Sequence, residues 1–207
     1  NIEHLKKACE EQPEAFSPVE VQISGEDNYH KGVKLISSAV TKRLKYVSHT
    51  VTTIELGLLV RIVQSDNKTK LTVESDYQLY IDTVAIRSWT KIRNDGTENL
   101  GIEHVSSFAL TGIMQNSSYP GDFTTDTTFS EPTNKWQAEL QWQERTLKEY
   151  GMDYRSDGTW REATTKRISV TNNGSWSCSE DSPSGILQRC GNHQVAMWQI
   201  EHNGSWH

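Results

Sequence analysis

Apolar and polar residues alternate with a period of two along much of the chain, which indicates β-strands. Val19, Val21 and Ile23 alternate with Glu20 and Gln22, and this spacing places the apolar side chains on one face of a strand. The same reasoning, or a run of β-branched residues, predicts further strands over residues 44–53, 56–63, 136–143, 166–170 and 195–201. In residues 136–143 the pattern is aromatic or apolar on one face and polar on the other.

The first dozen residues show a helical spacing instead. Ile2 and Leu5 belong to one apolar face, and Pro13 stops the run. We therefore expect a short N-terminal helix over residues 1–15, followed by one β domain over residues 16–207.

The central section predicts a hairpin. One long strand is expected over residues 71–92, with a change of face at a bulge. Asn94-Asp95-Gly96 is a strong turn signal because Asp-Gly readily adopts positive φ. Residues 100–113 are expected to return as the partner strand, and the polar residues 115–134 to form a long loop. Many strands, few helices and strong turn signals together predict an all-β fold, a two-sheet antiparallel β-sandwich.

The composition and motifs of the chain argue against several classes of binding partner. Lys and Arg number 21 against 27 Asp and Glu, a net charge of -6, which disfavours a nucleic-acid surface. No run approaches the roughly 20 apolar residues of a membrane span. Metal-ligand spacings such as His-x-x-x-His and Cys-x-x-Cys are absent from the sequence, as are phosphate-binding loops. We therefore expect no metal, cofactor, nucleic-acid or membrane partner.

The cysteines are Cys9, Cys178 and Cys190. An odd number in a chain of this length indicates reduced thiols rather than a disulfide framework. A pairing of Cys178 with Cys190 across a loop stays open, because sequence does not establish their Cα separation. Reduced thiols and the lack of a signal-like segment favour the cytoplasm.

Seven Trp residues suggest contact with carbohydrate, since most lie beside Gly, Ser, Asn or Gln. Aromatic rings stack on the C–H faces of sugars while amides and hydroxyls bind the sugar hydroxyls. The alternative is that these rings are core aromatics with a polar edge in water. The expected sugar contacts on turns are Trp160, after Asp-Gly, and Trp176 and Trp206, each after Asn-Gly-Ser. Capping of sheet ends, or packing on a neighbouring domain, is the alternative for each.

His193 is the fourth candidate for sugar binding, in the turn Gly191-Asn192-His193-Gln194. With a Glu from another strand it would form the acid–base pair of a mutarotase-like enzyme, but the spacing selects no such Glu. Glu103 and His104 are neighbours on a predicted strand and point to opposite faces, so they cannot share a site. No catalytic residue is predicted.

Several stretches, in order, resemble one family. They are residues 42–49 (KRLKYVSH), residues 71–96, residues 100–110, residues 140–145, residues 191–194 and residues 197–201. Together they are similar to the N-terminal domain of glycoside hydrolase family 36, the α-galactosidases and their relatives. The resemblance implies a galactose-mutarotase-like supersandwich, in which two large antiparallel sheets pack face to face.

The resemblance also implies what the chain lacks. The family hydrolyses α-galactosides with retention, using two carboxyl groups about 5–5.5 Å apart on a (β/α)₈ barrel that follows this domain. The Lys-x-Asp strand that carries the family's nucleophile has no counterpart here. We therefore expect a fragment preceding an absent barrel, inactive alone, which supports the barrel and oligomerisation in an α-galactosidase-like parent enzyme. A free-standing carbohydrate-binding module and a mutarotase-like enzyme are the alternatives. The expected partners are an α-galactoside or other carbohydrate, the barrel, and further copies of the chain.

Overall fold

The computed structural model describes residues 17–27, 38–109, 123–152, 168–172, 179–202 and 206. The chain divides into two compact units, Asn1–Thr111 and Gly112–His207. The helix expected over residues 1–15 lies outside the described residues, and the extent of the domain expected over residues 16–207 stays a prediction. No helix in the described part of the chain is both long and apolar enough to span a membrane.

The described residues of the first unit form two antiparallel sheets. One is a meander in the order β2-β3-β4-β5, and the other pairs β1 with β6. The elements are β1 (Val21–Ile23), α1 (Ala39–Arg43), β2 (Lys45–Ile54), β3 (Gly57–Asp66), β4 (Leu71–Tyr80), β5 (Ile86–Asn94) and β6 (Ile102–Val105).

An apolar cluster joins the two sheets of the first unit. Its buried members are Val19, Val21, Ile23, Val40, Leu71 and Val73, and Leu44, Ile92, Leu100 and Val105 pack against them. Each buried aliphatic side chain contributes about 1.5–3 kcal/mol relative to exposure. The small sheet therefore lies over the Leu71 end of the large one, and the predicted all-β, sandwich-like class is confirmed.

The described residues of the second unit form a four-stranded antiparallel sheet in the order β10-β9-β7-β8. The elements are α2 (Phe123–Asp126), β7 (Thr127–Lys135), β8 (Ala138–Thr146), β9 (Ser184–Arg189), a 3₁₀ turn (Cys190–Asn192) and β10 (Gln194–Gln199). The ring of Trp198 stacks on buried Phe129, with centroids 5.4 Å apart and planes 2° from parallel. Gly185, between them in the sheet, makes room for this stack.

The predicted central hairpin is wrong in its pairing. The expected strand over residues 71–92 is two strands, β4 and β5, which pair with each other around a bend at residues 81–85. The chain after the Asn94-Asp95-Gly96 turn does not pair with β5; it forms β6, which pairs with β1. The reason is packing, since Ile102–Val105 leaves the plane of the large sheet to help cover its apolar face.

The loop predicted over residues 115–134 is wrong in its second half, where β7 lies at Thr127–Lys135. Its sequence is polar and contains Pro132, which cannot donate to a strand ladder. Pro132 is tolerated because β9 pairs with β7 only as far as Ser130, and the carbonyl of Pro132 instead accepts from the Ser182 amide at 2.8 Å. Within the strand expected over residues 166–170, the described residues 168–170 are not in a strand.

Candidate functional site

The large sheet of the first unit has one apolar and one charged face. Leu71 and Val73 of β4 point into the core. Successive side chains of a strand alternate between its two faces, so Glu74 and Asp76 point to the opposite face of the sheet. We call this opposite side the outer face. Its members on β3, β4 and β5 include Arg61, Glu74, Asp76, Arg87, Trp89, Lys91 and Arg93.

Asp76 is the centre of the outer face. It lies opposite Arg61 on one side and Trp89 on the other, and its side chain is 0% exposed. Arg61 donates to both of its oxygens, at 2.6 and 3.0 Å, and the Lys91 ammonium lies 3.0 Å from Oδ2. Burial opposes ionisation, but the hydrogen bonds from Arg61 and Lys91 outweigh it and hold the pKa of Asp76 below its usual value. Asp76 is therefore a stable carboxylate that organises the cations around it.

The ion pairs continue along the sheet. Glu74 lies 3.5 Å from Arg61 Nε and 3.7 Å from Arg93 Nη1. Arg93 also contacts Asp95 at 2.5 Å, and this hydrogen bond is the largest cause that lowers the pKa of Asp95. The guanidinium of Arg87 lies 5.9 Å from the centroid of the Trp89 ring, within cation–π distance. The outer face is thus a ladder of mutually paired charges beside one aromatic ring.

The second unit carries two exposed Trp side chains on the hairpin formed by β7 and β8. Trp136 and Gln137 form the turn between β7 and β8, closed by Lys135 opposite Ala138, and Gln137 has φ 60°. Trp136 is 83% exposed at this turn, and Trp142 on β8 is 50% exposed. We call residues 134–143 the aromatic hairpin. An exposed indole beside Gln and Glu side chains is suited to stacking on a sugar ring.

Asn134 holds the base of the aromatic hairpin. Its Oδ1 accepts from the Leu140 amide at 2.9 Å, and its Nδ2 donates to Ser182 Oγ at 2.8 Å. Leu140 has φ 53°, at an irregularity where the β7–β8 register shifts. The side chain of Asn134 therefore satisfies an amide that the distorted ladder leaves unpaired. The hairpin has a fixed base and an exposed aromatic tip.

This irregularity corrects the predicted face of residues 136–143. Ala138 is opposite Lys135 and Gln141 is opposite Thr133. Two residues lie between Ala138 and Gln141 on β8, but only one lies between Thr133 and Lys135 on β7. Ala138 and Gln141 consequently share a face, and Trp142 lies on the other one. Trp136 is in the turn rather than in the strand.

The predicted sugar-binding residues are not brought together. His193 lies after the 3₁₀ turn, in a turn between β9 and β10 as predicted, and it is exposed with a left-handed backbone conformation. No carboxylate of the described residues contacts it. Trp206 is only 9% exposed, with its backbone paired to Asn172. Little of the Trp206 surface is therefore accessible to a sugar, and its predicted role in sugar contact stays a prediction. Trp160 and Trp176 lie outside the described residues.

Trp136, Trp142 and Trp89 are exposed or half-exposed aromatics that sequence reasoning did not select. The signal was present in the Trp-rich residues 136–143, but strand periodicity alone did not separate the turn from the strand. Within the described ranges no three His, Cys, Asp or Glu side chains are grouped to hold a metal ion. Cys190 carries a free, exposed thiol, while Cys9 and Cys178 lie outside those ranges.

Comparison with known proteins gives a likeness of fold. No family model matches the chain, and no curated protein matches it. Among solved structures, it is similar to the GH36 alpha-galactosidase AgaA from Geobacillus stearothermophilus, with 14% sequence identity and a TM-score of 0.54. The match covers 89% of this chain and 26% of that one, so the chain spans about a quarter of the length of that enzyme. The chain therefore has the fold of part of a glycoside hydrolase.

Proposed function

We propose that the chain is a non-catalytic accessory domain of an α-galactosidase-like glycoside hydrolase, which supports the catalytic barrel and the assembly of the enzyme. The observation that carries the proposal is the likeness of nearly the whole chain to a quarter of one such enzyme. The ordered sequence resemblance to the N-terminal domain of that family points the same way.

The electrostatics of the described residues support a non-catalytic role. A retaining glycosidase needs a carboxylic acid whose pKa is raised, so that it can protonate the leaving group. Among the described residues, the carboxyl groups with a shifted pKa all shift downward: Glu26, Asp66, Asp76, Asp95 and Glu149. Each is held as a carboxylate by hydrogen bonds or cations, which suits a scaffold rather than a proton donor.

Trp136, at the tip of the aromatic hairpin, is the residue that we assign to carbohydrate. Trp136 is exposed on a turn whose base is fixed by Asn134. An exposed indole on a hairpin with a fixed base can form one wall of a sugar cleft in an adjoining barrel.

A hydrolysis assay with a chromogenic α-galactoside tests the proposal, applied to this chain and to the longest open reading frame that contains it. We expect activity in the longer protein and none in the chain alone. Activity in the 207-residue chain would contradict the proposal, because the catalytic carboxylates would then lie within it. Inactivity of both proteins would also contradict it.

The role of the hairpin has its own test, Trp136→Ala in the longer protein. Loss of one stacking ring should weaken binding of the α-galactoside and raise its KM several-fold. For scale, a loss of about 1.4 kcal/mol of binding free energy lowers affinity tenfold. Trp142→Ala is the matched control, because Trp142 is also exposed but lies on the sheet. Equal effects of both variants, or no effect of Trp136→Ala, would remove the assignment.

A free-standing carbohydrate-binding module is the second candidate, favoured by the same exposed indoles. Galactoside titrations of the isolated chain, followed by quenching of Trp fluorescence, distinguish the two. Quenching that Trp136→Ala abolishes, together with an inactive longer protein, would favour the module.

A further inference from the structure

The strand β2 is an edge strand of the large sheet in the first unit, and no other described strand covers it. It is ten residues long, and all but its last residue are exposed. It pairs with β3 on one side, and the described contacts contain no backbone partner on the other. An edge of this kind presents a row of unpaired amides and carbonyls that only another extended backbone matches.

Residues 48–54 of β2 lack the features that usually protect such an edge. Residues 48–54 (SHTVTTI) contain no Lys, Arg, Asp, Glu or Pro, and they are mostly β-branched. The register shift with β3 lies before them, between Tyr46 and Ser48. The edge strand β8 of the second unit is different, since it carries Glu139, Glu144 and Arg145 and the irregularity at Leu140. Charges and bulges of that kind discourage edge-to-edge pairing.

We propose that β2 is a dimer interface, at which the strand pairs antiparallel with β2 of a second copy of the chain, with Val51 opposite Val51. This register places Thr50 opposite Thr52 and His49 opposite Thr53. Cross-strand pairs of β-branched and Thr residues are favourable ones. No like charges face each other between residues 48 and 54, although each copy carries a net charge of -6. The segment is thus self-complementary in the way that a twofold interface requires.

The side chains next to β2 favour the same arrangement. Val51 is on the apolar face of the sheet, in register with Val60 and Tyr77. On that face, exposed Leu58, Leu79 and Ile86 follow one another across β3, β4 and β5. Pairing of two β2 strands would join two such faces into one sheet of eight strands and bring the two Val51 side chains into contact, which removes part of their apolar surface from water. The inference concerns the chain by itself and does not depend on the proposed function.

The test is a charge exchange at Val51, which is 58% exposed. Sedimentation velocity should find the wild-type chain dimeric, and Val51→Lys and Val51→Glu each monomeric, because like charges would then lie directly opposite. An equimolar mixture of the two variants should regain the dimer, since Lys and Glu would face each other. That recovery depends on contact between the two residues at position 51, so general damage to the fold cannot produce it.

Val195→Lys is the matched control, because Val195 is 60% exposed on the edge strand β10. This variant should remain dimeric, and far-UV circular dichroism should find all variants folded. A monomeric wild-type chain, a dimer that survives Val51→Lys, or a mixture that stays monomeric would each overturn the proposal. Loss of the dimer in Val195→Lys as well would also overturn it.

Discussion

Asp76→Asn tests how much the ion pairs of the outer face stabilise the folded chain. The change keeps the shape of the side chain and removes its charge. Asp76 accepts three hydrogen bonds, two from Arg61 and one from Lys91, while it is itself inaccessible to water. The variant therefore leaves two cations without the carboxylate that they share.

The size of the loss lies between two limits. Exposed ion pairs contribute about 0.2–1 kcal/mol, whereas removal of one partner from a buried pair costs about 3–5 kcal/mol. Asp76 is fully buried, but the side chains of Arg61 and Lys91 are 34% and 51% exposed. Both cations can turn toward water in the variant, so we expect the free energy of unfolding to fall by about 2 kcal/mol at neutral pH.

The dependence on pH has a definite sign. The pKa of Asp76 in the folded chain lies below the ordinary value of an Asp carboxyl. A depressed pKa contributes stability that is present above the unfolded-state pKa and is lost as the pH falls through the folded-state pKa. The difference between the wild type and Asp76→Asn should therefore shrink in acid, below the ordinary range of an Asp carboxyl.

Urea unfolding is the suitable assay, because guanidinium would screen the ion pairs. Hydrogen exchange of peptides from residues 71–94 should follow it, since two units can unfold separately. Asp95→Asn is the control: Asp95 pairs with Arg93 at the surface, and a smaller loss is expected. An unchanged free energy of unfolding at neutral pH would refute this reasoning, and so would a loss that persists undiminished in acid.

Two further predictions concern the second unit. Burial, followed by the hydrogen bond to Glu131, raises the pKa of Tyr150 to about 12; an ultraviolet titration should find this value, and Glu131→Gln should lower it. The contribution of this raised pKa to stability is present below the ordinary Tyr pKa of 10.0 and is lost as the pH rises through the folded-state pKa. Gly185→Ala would place a Cβ 2.3 Å from the Trp198 ring, which should cost about 1–3 kcal/mol and alter the near-ultraviolet circular dichroism. Addition of Trp198→Ala should then cost less than the sum of the two changes, and strict additivity would contradict the clash.

The aromatic hairpin illustrates why the candidate site was only partly predictable. The sequence marks residues 136–143 as a Trp-rich alternating segment, but not that Trp136 occupies the turn. That depends on the positive φ of Gln137 and on the hydrogen bond from the Leu140 amide to Asn134. Trp206 shows the converse, since its Gly-Ser context suggests exposure while its pairing with Asn172 buries it.

Local pattern by itself determined the all-β class and most strand positions, because the period of two and the turn at Asn94-Asp95-Gly96 depend on neighbours in the sequence. Only the tertiary structure decided which strands pair. β6 pairs with β1 rather than β5, because burial of the apolar face of β4 and β5 requires a second layer. A polar β7 with Pro132 is a strand because β8 and β9 supply its hydrogen bonds. Pairing and burial join residues distant in the chain, so no local pattern contains them.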